Sequence, residues 1–255
     1  MKIQKYTKLL DNYYNVKIDD IDVKLYDDVI VKFELLRIKE IDERLYADIL
    51  KYNNELDAYY KSLKYITKKM RNKKEIIKYL EKEYNSEIID KTIQKLYQDG
   101  YLNDLLYMEC FINDQVNFSN NGPLRILNLL KDLGFEREDI LNKLNEIDKE
   151  IFLNKIKKII EKKIKLNHKY SENKLKEKLL IDLSNLGYER TQVLEVLDNI
   201  QILTPDNLLE KEYKKNYDKL SKKYSGDELK YRLKNKLLTK GFAYEEIQNI
   251  LENID

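Results

Sequence analysis

The chain has 255 residues, 37% of them charged, yet a net charge of only +2, too small to mark a nucleic-acid binder by charge alone. Six glycines and two prolines argue against a fold rich in tight β-turns. No apolar run approaches the roughly 20 residues needed to span a bilayer.

The charge is unevenly spread. Residues 1–57 carry ten basic and thirteen acidic side chains, a net of −3, whereas residues 148–182 carry eleven and six, a net of +5. In the acidic segment, Tyr14 to Ile18 alternates apolar and polar, Asp19-Asp20 turns, and Ile21 to Leu25 alternates again. That pattern predicts a hairpin, to which Ile3 to Leu9 adds a third strand. Asp27 or Asp28 is placed to cap a short helix through Leu35. A sheet this small needs a helix or a partner to pack on.

From residue 57 the chain repeats. Gly134-Phe135, Gly187-Tyr188 and Gly241-Phe242 are separated by 53 and 54 residues. Aliphatics follow each aromatic at offsets of 5, 9 and 12: Ile140, Leu144, Ile147; Val193, Leu197, Ile200; Ile247, Leu251, Ile254. Tyr84 keeps the pattern with Ile89, Ile93 and Leu96, although Glu83 replaces the glycine. At about 100° per residue these positions share one face of a helix. A second helix precedes each pair, opened by Asn72, Ser119, Ser171 or Ser225; Asn72 with Glu75, and Ser225 with Glu228, read as capping boxes. A longer helix comes before that, clearest at residues 149–169 and 206–223. Gly100 ends a helix, Asp104 is placed to cap the next, and Pro123 suits a first helical turn. The expected fold is mainly α: tandem three-helix repeats stacked into a curved, elongated array, preceded by a small β-hairpin and short-helix segment. Its segments are residues 1–56, then repeats 57–103, 104–147, 148–205 and 206–255.

Residues 71–135 carry a family likeness. Gly100-Tyr-Leu-Asn-Asp-Leu-Leu-Tyr107 resembles the G-Y-L-(D/N)-D-x-x-(F/Y) signature of the RecX family. Gly122-Pro-Leu-Arg-Ile126 is similar to its G-P-x-(K/R)-I helix start, and residues 71–84 to its R-x-x-x-E-(I/L)…Y helix. The chain departs from the family at Met108, where alanine is usual, and at the neutral Asn113, Gln115 and Asn117. The order of hairpin and short helix resembles the N-terminal extension of members from low-GC bacteria. RecX proteins modulate the RecA recombinase. The resemblance therefore implies a regulator of homologous recombination and DNA repair that lies in the groove of the RecA–single-stranded-DNA filament and inhibits ATP turnover and strand exchange.

Candidate contacts follow from charge and spacing. Lys158, Lys162, Lys165 and Lys169 fall at offsets 0, 4, 7 and 11, opposite Phe152, Ile156, Ile159 and Ile160. They form either a solvated face or a surface for a polyanion or acidic partner. Arg71, Lys74 and Lys78 repeat the arrangement more sparsely, away from Ile77, Leu80 and Tyr84. Arg125 suits bidentate recognition of carboxylate or phosphate. Single-stranded DNA is a weak contact at most in this reading. The rivals are a non-specific nucleic-acid-binding repeat protein and an interaction scaffold without a DNA role.

Catalytic patterns are missing: no GxxxxGK[ST] loop, no HExxH, no paired CxxC, and no histidine beside a nucleophile. No enzyme activity, cofactor, metal or small-molecule substrate is expected. The lone Cys110 reads as a small core residue in a reducing compartment, and the lone His168 as a solvated side chain. The start lacks the apolar core of a secretion signal, so a cytoplasmic monomer is expected.

Overall fold

The computed structural model describes residues 1–9, 12–202 and 207–252. Three strands, β1 (Ile3–Lys8), β2 (Tyr13–Ile18) and β3 (Ile21–Tyr26), form an antiparallel sheet in that order. The β2–β3 register pairs Tyr13 with Tyr26 and Ile18 with Ile21 around Asp19-Asp20. Asp19 takes the left-handed conformation the turn needs (φ +48°), which a short polar side chain tolerates. The strand then runs straight into α1 (Asp27–Lys32). Neither aspartate caps it: Tyr26 is the N-cap, and the Asp27 side chain accepts the next amide, from Asp28. The helix stops before Leu35 because Glu34 turns left-handed (φ +48°), leaving Leu35 buried in a 3-10 turn, Leu35–Arg37.

Twelve further helices follow among the described residues, in four triples. The first is α2 (Glu43–Ile66), α3 (Lys73–Leu80) and α4 (Ser86–Gln98); the second α5 (Asp104–Phe118), α6 (Pro123–Asp132) and α7 (Arg137–Asn145). The third is α8 (Lys149–Lys165), α9 (Glu172–Asn185) and α10 (Arg190–Asp198); the fourth α11 (Leu208–Leu220), α12 (Gly226–Thr239) and α13 (Tyr244–Glu252). The chain is mostly helical, with one small sheet at its start. It divides into two compact units, Met1–Cys110 and Phe111–Asp255, the division falling within α5.

In the first unit, α2 runs unbroken through residue 57 and serves two cores. Its N-terminal half covers the sheet, with Ile49 and Leu56 packed among Val16, Ile18, Leu25 and Val29. Its C-terminal half places Ala58 and Tyr59 against Ile76, Leu80, Ile89, Ile93 and Leu96 of α3 and α4. The expected capping box at Asn72 and Glu75 forms in full. The cap of α5 is Asn103, not Asp104: Asn103 Oδ1 accepts from Leu106 N at 2.9 Å, while Asp104 instead accepts from the Tyr97 hydroxyl at 2.6 Å. Cys110 is exposed rather than core, because the buried face of α5 passes through Tyr107, Met108 and Ile112.

In the second unit the repeated glycines have a shared purpose. Gly134, Gly187 and Gly241 all have positive φ (95°, 88° and 84°). At Gly187 and Gly241 the helix end also receives the N-terminus of a helix from the preceding triple. Gly122 N donates to Leu186 O (2.7 Å) and Leu124 N to Gly187 O (3.0 Å). One triple later, Ser171 N donates to Lys240 O (3.0 Å) and Ser171 Oγ to Gly241 O (2.6 Å). A side chain on Gly187 would lie 2.3 Å from the Arg125 nitrogen, so only glycine permits the approach.

Several caps differ from expectation. Gly122, with Pro123 behind it, is the N-cap of α6; Ser119 stays with α5, its hydroxyl donating to Gln115 O at 2.7 Å. Ser171 caps α9 as expected. The capping box expected at Ser225 does not form: Ser225 makes no side-chain cap, and the Glu228 carboxylate is held by Arg232 at 2.9 Å. Ile140, Leu144, Val193, Leu197, Ile247 and Leu251 are buried. Ile147 and Ile200 lie past the ends of their nine-residue helices and are half-buried. Asp206 and Ile254 lie outside the described residues.

Candidate functional site

The candidate cations do not form one class. Arg71 precedes the N-cap of α3 and does not share the helix face with Lys74 and Lys78. Its guanidinium sits 4.0 Å from the Tyr65 ring centroid and pairs with Glu75 at 2.8 Å, with only 19% of its side chain exposed. Glu75 in turn closes the capping box, so Arg71 braces the start of α3. Lys74 and Lys78 are exposed on that helix. Arg125 stands in the first turn of α6, its backbone pressed on Gly187 and its side chain exposed without an ion pair among the described residues.

On α8, Lys158, Lys162 and Lys165 are exposed while Phe152, Ile156 and Ile160 are buried opposite. The three lysines span about 10 Å along the axis, and none has an acidic partner among the described residues. Lys169 does not continue the stripe, since α8 ends at Lys165. Asn167 stops it: its Oδ1 accepts from Tyr170 N (3.1 Å) and its Nδ2 donates to Tyr170 O (2.7 Å). Lys169 is exposed on that turn, beside the exposed His168. Part of the local basic excess is used up internally. Lys155 is buried enough for desolvation to lower its pKa, and donates to Ser119 O (3.0 Å) and Gln115 O (3.3 Å) at the C-terminus of α5. Lys174 and Lys176 pair with Glu177 and Glu172, both at 2.7 Å.

Sequence reading missed the most connected polar group in the first unit, Asp57. Its carboxylate accepts from Tyr26 (2.9 Å), Tyr13 (3.3 Å), Tyr84 and Lys61 (3.0 Å). Burial works to raise the Asp57 pKa, but the hydrogen bonds from Tyr84, Lys61 and Tyr26 and the charge of Lys61 hold it below the usual value. The Tyr26 hydroxyl is pushed well above its ordinary range, by burial first and then by its bonds to Tyr13 and Asp57. These partners come from β2, β3, α2 and the α3–α4 turn, so no local pattern announces them. The cluster joins sheet to repeat.

Among the described residues no group of three or more His, Cys, Asp or Glu is placed to hold a metal ion, and no helix is long and apolar enough to cross a membrane. Among the described residues, Lys78, Arg125, Lys158, Lys162 and Lys165 stand exposed on regular helices with no ion pair.

The family model for the first three-helix domain of RecX matches residues 58–96, which lie in the α2–α4 triple. The regulatory protein RecX of Streptococcus agalactiae serotype III (strain NEM316) is 32% identical, over 98% of this chain and 98% of its own length. Its namesake in Listeria monocytogenes serotype 4a (strain HCC23) is 28% identical, over 97% and 91%. Among solved structures, a regulatory protein RecX matches with a TM-score of 0.68 at 23% identity, covering 78% of this chain and 100% of that one. RecX from Lactobacillus salivarius matches with a TM-score of 0.55 at 22% identity, covering 58% and 99%. The fold neighbours share its helical repeats, and a relative above 30% identity aligns along nearly the whole of both sequences: the chain belongs to the RecX family of regulatory proteins.

Proposed function

We propose that this protein binds the RecA–single-stranded-DNA filament in its groove and slows RecA's ATP turnover and strand exchange. The observation that carries the reading is the near full-length relationship to proteins named regulatory protein RecX. It is supported by exposed cations on regular helices, Lys78, Arg125, Lys158, Lys162 and Lys165, which can meet an anionic surface without giving up internal bonds. Arg71 is not among them, since its charge is spent on Glu75 and Tyr65. No chemistry on a small molecule is required.

The test is ATP turnover by RecA on single-stranded DNA with increasing amounts of this protein. Wild type should inhibit at or below one molecule per RecA. A variant carrying Lys78→Glu, Arg125→Glu, Lys158→Glu and Lys162→Glu should need roughly tenfold more protein for the same inhibition, as reversed charges at an interface rim weaken association. Unchanged turnover and strand exchange with wild type would refute the reading. The lysines of α8 favour a second reading, a non-specific nucleic-acid binder. That protein would bind bare single strands tightly at low salt, its affinity falling with a slope near 0.7 per phosphate neutralised.

A further inference from the structure

The outer edge of the sheet, at β1, is occupied along only part of its length. Residues 39–41 run antiparallel beside the first residues of the chain: Ile3 N donates to Lys39 O and Ile41 N to Met1 O, both at 2.9 Å. Between these bonds Lys2 faces Glu40, their side chains paired at 3.6 Å. Upstream of Lys39 the chain lies off the edge, in the 3-10 turn whose Leu35 O accepts from the Tyr6 hydroxyl at 2.7 Å. Beyond Ile3 the edge is therefore open. Leu9 N donates to Tyr13 O (2.9 Å), with Thr7 opposite Asn15 and Lys5 opposite Lys17. That register turns the backbone of Lys5 and Thr7 toward β2, and the backbone of Tyr6 and Lys8 toward the open side. The N–H and C=O groups of Tyr6 and Lys8 have no partner among the described residues. Nor have the side chains of Lys5, Lys8 and Lys17 an acidic one. Lys5 and Lys17 stand directly opposite each other, an arrangement that costs stability.

A row of unpaired strand groups can take another strand, and the lysines beside it select which. A second copy of this edge would gather Lys5 and Lys8 of both chains into one short ladder and repel itself, the protection that lysines give to edge strands. A segment bearing carboxylates would instead neutralise them, as Glu40 already does for Lys2. We propose that β1 takes one further strand from a partner protein, an extended acidic segment. It pairs its backbone with Tyr6 and Lys8 and sets acidic side chains, three residues apart, opposite Lys5 and Lys8. The contact goes beyond the filament role and needs neither RecA nor DNA.

The experiment measures anisotropy of a fluorescein-labelled peptide, Thr-Glu-Val-Thr-Glu-Val-Thr, with the full chain at low salt. Two relatives serve as controls: one with lysine for both glutamates, and one N-methylated at the first glutamate and the central threonine, whose amides would face β1. Wild type should bind the parent peptide and lose roughly fivefold or more on methylation, the net worth of one or two backbone hydrogen bonds. Lys5→Glu with Lys8→Glu should weaken binding roughly tenfold, since two opposite-charge pairs become like-charge pairs. Lys8→Pro should weaken it roughly threefold more than Lys8→Ala, because it deletes an N–H on the open side and leaves the ladder to β2 intact. Circular dichroism checks that the variants fold; should Lys8→Pro not fold, the methylated peptide reads the same bonds on wild type. No binding of the parent peptide, equal binding of the methylated or lysine peptide, or unchanged binding by the double glutamate variant would each overturn the proposal. So would a dimer in sedimentation that the peptide disperses, which would make a second copy the occupant.

Discussion

Asp57 shows how one side chain comes to carry more than its type suggests. A carboxylate taking bonds from three phenols and an ammonium leaves those donors stranded if it is removed, and an unsatisfied buried donor costs far more than a hydrogen bond contributes. Asp57→Ala should therefore lower stability by about 1–3 kcal/mol, read as the urea midpoint. The pH dependence has a definite sign. Because the folded pKa lies below the unfolded value of about 4, the contribution is full above that value and is lost as pH falls through the lower folded one. Midpoints measured from pH 7 down to pH 2 should show a smaller acid loss in Asp57→Ala than in wild type. Equal acid losses would show that the carboxylate is not held in its charged form. Tyr188 offers a contrast: burial alone pushes its hydroxyl up to about 12.

Backbone hydrogen bonds couple helices of successive triples directly in the second unit. The N-terminus of α6 lies against the glycine that ends α9, and that of α9 against the glycine that ends α12, through N–H to C=O bonds at 2.7–3.0 Å. Such an approach leaves no room for a methyl group. Gly187→Ala should thus cost about 2–4 kcal/mol, the sum of left-handed backbone strain and a displaced Arg125. Gly100 has a similar φ of +78° but nothing within 4 Å of its would-be Cβ. Gly100→Ala should cost only about 1–2 kcal/mol. Denaturation midpoints of the two variants decide the matter; equal losses would mean that conformation, not the contact, sets the requirement.

For the molecule as a whole, the exposed charge on which the proposed role relies stands on regular helices. Inhibition of RecA should accordingly weaken as salt rises, since exposed cations are screened within about 10 Å at 0.1 M salt. It should not vanish, because protein surface supplies the remainder. Half-inhibitory concentrations between 50 and 300 mM salt, set against those of the four-site glutamate variant, measure the share; the variant's curve should be the flatter. A wild-type curve as flat as the variant's would remove charge from the mechanism.

The repeats, the capping box at Asn72, the helix-ending glycines and the family itself were all legible in the sequence, because each rests on spacing within a few dozen residues. A positive-φ glycine, an apolar face at helical offsets and an N-cap are local constraints, and local constraints are written in order along the chain. The sequence also carried the lysines of α8, but not which of the neighbouring cations are available. Lys155 is withdrawn to the end of α5, 36 residues before it, and Arg71 to a ring and a carboxylate that only folding brings round it. Lys169 left the stripe because Asn167 made a turn that helical periodicity ignores. Asp57 gathers tyrosines from 44 and 31 residues before it and 27 after it. Those assignments belong to the tertiary structure, because a polar side chain takes whichever partner desolvation leaves nearest, and that is decided only when distant segments pack.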